Sequence, residues 1–257
     1  MPRFAANLGW LFTEHDFLDR FEAAANAGFR AVEFAQPYEW PAAEIRARLD
    51  AHGLECILVN LPMGDRARGD FGLACRPGRE AEFRQGVARG IEYAHALGVP
   101  KVNCISGLAT PSDDTAALRG TLVSNLRYAA REFKAAGLDL LVEPINTRDI
   151  PGFVLPRQDD GARVIAEVGE PNFFLQCDLY HTAMMGDDPA AILDRHWDVI
   201  GHIQFADAPG RHEPGTGTLD FASLFAQIDA RGYPGWVAAE YRPTRRTEDT
   251  LSTFLRT

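Results

Sequence analysis

Eight short apolar runs, each followed by a longer stretch, constrain this chain more than any other feature of its sequence. The runs are Phe4–Leu8, Ala31–Phe34, Cys56–Asn60, Val102–Ser106, Asp139–Glu143, Phe173–Asp178, Ile200–Ala206 and Trp236–Glu240. They have the length and composition of strands. Between them apolar residues recur on one helical face. Phe17, Leu18, Phe21, Ala24 and Ala25 form one such stripe; Phe83, Val87, Ile91, Ala94 and Leu97 form another; Leu118, Leu122, Leu126, Ala129 and Phe133 form a third. Helical segments end at Gly28, Gly53, Gly98, Gly137 and Gly232, each followed within a few residues by a strand, as a left-handed helix cap requires. This alternation, with no linker or low-complexity break, predicts an α/β fold: a single (β/α)8 TIM barrel spanning residues 1–257. An open doubly wound sheet is the other arrangement of such units, but no G-x-G-x-x-G follows the first strand. The long Gly- and Arg-rich loop after the third strand, residues 62–78, lies where a barrel carries its site and is expected to act as a lid.

Barrel enzymes place their chemistry at the carboxyl ends of strands. The fifth run stops on Glu143, which Pro144 biases toward extended backbone. The sixth ends on Asp178 and the eighth on Glu240, while the seventh carries His202 and Gln204 at alternate positions, hence on one face. Four consecutive strands would thus bring oxygen-bearing groups together. Three carboxylates in contact repel one another unless a cation intervenes. An all-oxygen set of Glu143, Asp178, Gln204 and Glu240 suits a hard divalent metal, Mg²⁺ or Mn²⁺, better than zinc.

Around this core lie weaker candidates. His181, three residues after Asp178, is a hydrogen-bond donor to a substrate oxygen or a further ligand, and His202 is expected to sit behind Gln204. Arg211, in a turn-rich segment after the seventh strand, offers a fork for a substrate carboxylate. Glu213 follows it without an assigned role. Asn7 and Glu33, near the ends of the first two strands, are positioned to touch substrate, with Trp10 and Phe71 as lining residues.

Composition narrows the partners. A formal charge of −10 opposes a nucleic-acid backbone, which needs clustered cations. No apolar run reaches the length of a membrane span, and the amino terminus lacks a signal-peptide pattern. The four cysteines (Cys56, Cys75, Cys104, Cys177) have no CxxC spacing and are expected as buried free thiols in a reducing cytoplasm. With only Lys101 and Lys134 as lysines, neither at the end of a strand, a Schiff-base mechanism is disfavoured. A homo-oligomer is left open.

With these residues placed, the sequence resembles the hydroxypyruvate isomerase family of the xylose-isomerase-like barrels, including 2-oxotetronate isomerases. The resemblance rests on Glu143-Pro-Ile-Asn146, Asp178-Leu-Tyr-His181, Gly201-His-Ile-Gln204, Pro209-Gly-Arg-His-Glu-Pro-Gly215 and Gly232-Tyr-x-Gly-Trp-x-x-x-Glu240-Tyr241. Gly72-Leu-Ala74 and Pro77-Gly-Arg-Glu80 extend it over most of the chain. It implies metal binding by Glu143, Asp178, Gln204 and Glu240, and proton transfer by Glu143 and Glu240. Glutamine at position 204, where ketose 3-epimerases of the superfamily carry histidine, favours a small hydroxy-carbonyl acid as substrate. Hydroxypyruvate is the first expectation, with 2-oxotetronates and ketoses as alternatives and a non-catalytic sugar-acid-binding barrel as the reading from another class.

Overall fold

A computed structural model describes residues 1–255. Eight parallel strands close in sequence order into one barrel: β1 (Arg3–Asn7), β2 (Ala31–Glu33), β3 (Glu55–Asn60), β4 (Lys101–Cys104), β5 (Asp139–Val142), β6 (Phe173–Asp178), β7 (Ile200–Phe205) and β8 (Trp236–Ala239). The helices surrounding them are α1 (Arg20–Asn26), α2 (Ala42–His52), α3 (Glu80–Leu97), α4 (Thr115–Ala135), α5 (Gln158–Val168), α6 (Leu179–Met184), α7 (Pro189–His196), α8 (Phe221–Ala230) and α9 (Thr247–Thr250). The (β/α)8 expectation holds, and all eight expected strands form.

Strand pleating divides the side chains between two cores. Phe4, Val32, Val142, Ile203, Phe205 and Val237 point outward into the large apolar layer under the helices. Ala5, Ala31, Leu58, Leu141 and Ala238 point inward and pack as a small plug. Small residues at these inward positions let the strands close without overfilling the interior. Phe4, Phe205, Phe225 and Phe254 pack edge-to-face, with ring centroids 4.9–5.8 Å apart, and so fix α8 and the tail against β1 and β7.

The ladders end slightly earlier than the apolar runs suggest. Strand β4 stops at Cys104 rather than Ser106, because the Ser106 carbonyl accepts from the backbone N–H of Cys75 (2.9 Å). That contact comes from the 62–78 loop, which has two unlike halves. Its outer half forms a short turn at Arg66–Arg68, closed by Asp65, whose side chain accepts from Ala67 N. A forked pair from Arg79 to Asp70 (2.5 and 2.9 Å) ties this half back to the start of α3. Its inner half, Leu73–Cys75, is buried core. All four cysteines are buried and free, as expected.

Gly72 joins the two halves. Its φ is +95°, and a Cβ there would lie 2.2 Å from the Ile105 carbonyl oxygen, a backbone atom with nowhere to go. Gly72→Ala is expected to destabilise the protein by about 2 kcal/mol or more through combined strain and overlap. Urea unfolding checks this; a midpoint unchanged from wild type contradicts the anchoring role given to the segment.

Candidate active site

Each strand contributes one polar residue to a single inward layer at the carboxyl end of the barrel. Around the ring these are Asn7, Glu33, Asn60, Asn103, Glu143, Asp178, Gln204 and Glu240. Register aligns them: Asn7 lies opposite Glu33, Asn60 opposite Asn103, and Asp178 opposite Gln204. Glu143 and Glu240 each stand one residue past the last ladder pair of their strand.

The carboxylates are set by neutral donors. Asn103 Nδ2 donates to Glu143 Oε2 (3.0 Å) and to Asn60 Oδ1 (3.2 Å). Asn7 Nδ2 donates to Glu33 Oε1 (2.8 Å) and to Glu240 Oε1 (3.0 Å), joining two carboxylates through one amide. Gln204 Nε2 donates to Glu33 Oε1 (2.6 Å), while its Oε1 accepts from Gln176 Nε2 (2.6 Å). His202 Nε2 pairs with Glu33 Oε2 at 2.6 Å. Glu33, expected at the substrate, therefore has its oxygens engaged by Asn7, Gln204 and His202 and no exposed surface. His202 touches the same Glu33 carboxylate as Gln204.

Four carboxylates thus share one interior layer, and one guanidinium enters it. Arg211 pairs through Nη2 with Glu240 Oε2 and stands 3.5 Å from Asp178 Oδ2. Its guanidinium lies between the rings of Trp10 (4.3 Å) and Tyr180 (5.1 Å), a cation–π sandwich that keeps the charge in place as it leaves water. The loop carrying it is organised by buried Asp207, which accepts from the backbone N–H groups of Ala208, Gly215, Gly217 and Leu219. Arg211 itself has φ +58°, an uncommon conformation for a non-glycine residue. The backbone bonds Arg211 N to Asp207 O and Arg242 N to Arg211 O hold it there.

Burial and repulsion shift the acids. Desolvation, with Glu240 and Asp178 adding repulsion, raises the Glu143 carboxyl well above the ordinary range. Glu240 is pushed up to about 8, chiefly by burial, although Arg211 pulls it down. Asp178 is raised by burial against the opposing pull of Arg211. Burial, with Arg211 nearby, holds His181 well below its usual value, so its imidazole is neutral.

Metal fit rests on two observations. Asp178 Oδ2 is buried with no hydrogen-bond partner. Glu143, Asp178 and His181, all buried, each offer a ligand atom within 4.8 Å of the others. A divalent cation beside the two carboxylates of this group would offset the surplus negative charge.

The remaining candidates separate. Glu213 is buried and holds the Thr244 backbone N–H (3.1 Å) and hydroxyl, linking the loops after β7 and β8. Phe71 packs on Phe153, with Arg66 over its ring. Sequence reasoning passed over Asn103, Gln176, Asn146, Asp149 and Tyr180. Asn103 and Gln176 did carry a signal: each is an amide interrupting an apolar strand.

A model of the xylose isomerase-like TIM barrel family matches residues 21–257. The 2-oxo-tetronate isomerase of Cupriavidus necator is 51% identical over 251 residues, 98% of this chain and 96% of that protein. The hydroxypyruvate isomerase of Escherichia coli is 47% identical over 251 residues, 98% and 97% of the two chains. Among solved structures, one titled as an AP endonuclease, family 2, from Brucella melitensis superposes with a TM-score of 0.96 at 41% identity, covering 99% of this chain and 98% of that one. The chain belongs to the xylose isomerase-like TIM barrel family, in the branch of the hydroxypyruvate and 2-oxo-tetronate isomerases, and is an isomerase.

A raised carboxyl binds its proton more tightly in the folded chain than in the unfolded one. Glu143 therefore favours folding at acid pH, and that contribution is lost as pH rises from the ordinary carboxylate value toward the raised one. Metal-free Glu143→Gln is expected to melt above metal-free wild type at pH 8, at about 2–4 °C per kcal/mol for a chain this long. The gap should narrow toward pH 5. Thermal unfolding after chelator treatment measures it, and a lower melting temperature for the variant at pH 8 contradicts the account.

Proposed function

We propose that this isomerase moves a carbonyl between adjacent carbons of a small hydroxy-carbonyl acid, converting hydroxypyruvate to tartronate semialdehyde. The observation that carries the reading is the pair Glu143, buried, and Glu240, mostly buried, carboxyls from different sectors of the barrel with raised proton affinities. Carboxyls of raised proton affinity can serve as general acid and base. One glutamate removes a proton from the hydroxymethyl carbon, and the electron pair left behind gives an enediol. The other returns a proton to the neighbouring carbon, and the hydroxyl proton passes from one oxygen to the other. Atoms and charge balance without an external oxidant or reductant.

Arg211 binds the substrate carboxylate in this scheme, next to Trp10 and Tyr180. Asn7 orients Glu240, and Asn103 orients Glu143. Both are neutral donors that leave the acids free to accept a proton. Glu143, Asp178, Gln204 and Glu240 would hold Mg²⁺ or Mn²⁺, which would polarise the substrate oxygens and favour the developing negative charge. The outer half of the 62–78 loop, carrying Phe71, is the segment proposed to cover the bound acid. The names of the relatives support two acids, hydroxypyruvate and 2-oxo-tetronate. Glutamine at 204 supports an acid over a free ketose.

Turnover of hydroxypyruvate, a 2-oxotetronate and a ketohexose, each with and without added metal, tests the assignment. Activity is expected on one of the acids, lost on chelation and restored by Mg²⁺ or Mn²⁺. Full activity in metal-stripped protein, or turnover of the ketohexose alone, contradicts it. Glu143→Gln and Glu240→Gln are each expected to lower kcat by about 10²–10⁴-fold or more, the usual share of a positioned acid or base, while the protein stays folded by circular dichroism. Near wild-type kcat in either variant removes that residue from the proton path.

A further inference from the structure

Which ring nitrogen of His181 carries its proton decides what this residue can do beside Glu143 and Asp178. Nδ1 lies 2.7 Å from Nδ2 of Asn146. The sense of that amide is fixed by its surroundings. Asn146 Oδ1 accepts from the backbone N–H of Arg148 (3.0 Å) and of Asp149 (2.8 Å). Asn146 Nδ2 donates one hydrogen to Asp149 Oδ2 (3.0 Å), and Asp149 Oδ2 also accepts from the Tyr180 hydroxyl (2.8 Å). A half-turn of the amide would set Nδ2 against two N–H groups and Oδ1 against a carboxylate oxygen. The second Nδ2 hydrogen therefore points at His181 Nδ1. A nitrogen that accepts a hydrogen bond cannot itself carry a proton, so the ring's proton is on Nε2. Nε2 faces Asp178 Oδ2 at 3.5 Å and Glu143 Oε1 at 3.9 Å. With its lone pair used by the proton, Nε2 can donate but cannot ligate.

We propose that Asn146 is a positioning residue that fixes His181 in the Nε2–H tautomer, making it a hydrogen-bond donor to a substrate oxygen and removing it from the cation's ligand set. The inference rests on the proposed reading of the site as one that binds a hydroxy-carbonyl acid beside a divalent metal. The chain builds the device into two neighbouring segments. Asn146 stands three residues after Glu143 and His181 three residues after Asp178, so each carboxylate brings one member of the pair with it. Tyr180, stacked on Arg211, joins the same network through Asp149.

Nitrogen-15 histidine NMR of the full-length protein, chelator-treated and Mg²⁺-loaded, tests the assignment without reference to activity. The His181 signals, identified by their loss in His181→Ala, are expected to show an unprotonated Nδ1 and a protonated Nε2. A protonated Nδ1 overturns the proposal whatever the substrate is. Asn146→Asp offers an acceptor in place of the donor and is expected to move the proton to Nδ1. With it kcat should fall about 10–100-fold, the usual effect of a misplaced supporting partner, while KM changes less. A reversed tautomer with unchanged kcat overturns the donor role.

Should Asn146→Asp fail to fold, the wild-type spectrum and a Mn²⁺ titration decide. His181→Ala is expected to keep Mn²⁺ binding under conditions where Asp178→Ala loses it. Equal loss in both variants restores His181 as a ligand and overturns the proposal. An Nε2–H spectrum in a protein that turns over none of the acids supports the tautomer and counts against the substrate class alone.

Discussion

The rest of the site depends on an imbalance of charge. Glu33, Glu143, Asp178 and Glu240 occupy one inward layer, and Arg211 brings one positive charge to it. Buried charges left without partners are costly, and the cost is met by shifting proton affinity or by binding a counter-ion. The first response is visible here. Glu143 and Glu240 are raised, and Asp178 Oδ2 is buried without a hydrogen-bond partner. The barrel makes the arrangement possible because parallel strands closing on themselves bring residues distant in sequence to the same height. Asn7 and Glu240, separated by 233 positions, bond directly.

The loop after β7 shows how much structure goes into delivering one cation. Asp207 gathers four backbone N–H groups. Glu213 binds Thr244 and so fastens this loop to the one after β8. Arg211 sits at a positive φ that such bonding holds in place. Strain of this kind, of order 1–3 kcal/mol, persists where surrounding contacts over-determine the backbone. The result is a guanidinium within cation–π distance of Trp10 and Tyr180 and paired with Glu240, on a backbone held by two hydrogen bonds.

Much of this was legible in the sequence, for reasons that differ by residue. The strands were readable because burial on both faces makes them continuous apolar runs. Glu143, Asp178 and Glu240 were readable because a charge closing such a run has no structural excuse. The roles of Asn103, Gln176 and Asn146 were not, since a neutral amide, even one that interrupts an apolar strand, tells nothing of its partner until the fold supplies one. Glu33 illustrates the converse. Its position suggested the substrate, yet register and barrel closure give its oxygens to Asn7, Gln204 and His202. Strand β4 ended early for a related reason: the donor that takes the Ser106 carbonyl, the backbone N–H of Cys75, lies in a loop some thirty residues earlier in the chain.

The choice of neutral partners has a chemical consequence. A carboxylate held by guanidinium or ammonium groups is stabilised as the anion and becomes a poor base, whereas an amide donor orients it with a smaller shift. Glu143 is held by Asn103, and Glu240 has Asn7 on one oxygen and Arg211 on the other. The two acids are therefore placed unequally. Glu143 is raised by burial and by repulsion from Glu240 and Asp178, whereas Glu240 is paired with Arg211. Glu240 is tempered by a cation that a bound substrate carboxylate would partly neutralise. In the proposed scheme, substrate binding at Arg211 would raise the basicity of Glu240, and a carboxylate on the substrate would serve the proton transfer as well as recognition. A ketose, lacking that carboxylate, would leave the Arg211–Glu240 pair intact and the second acid less able to take its proton.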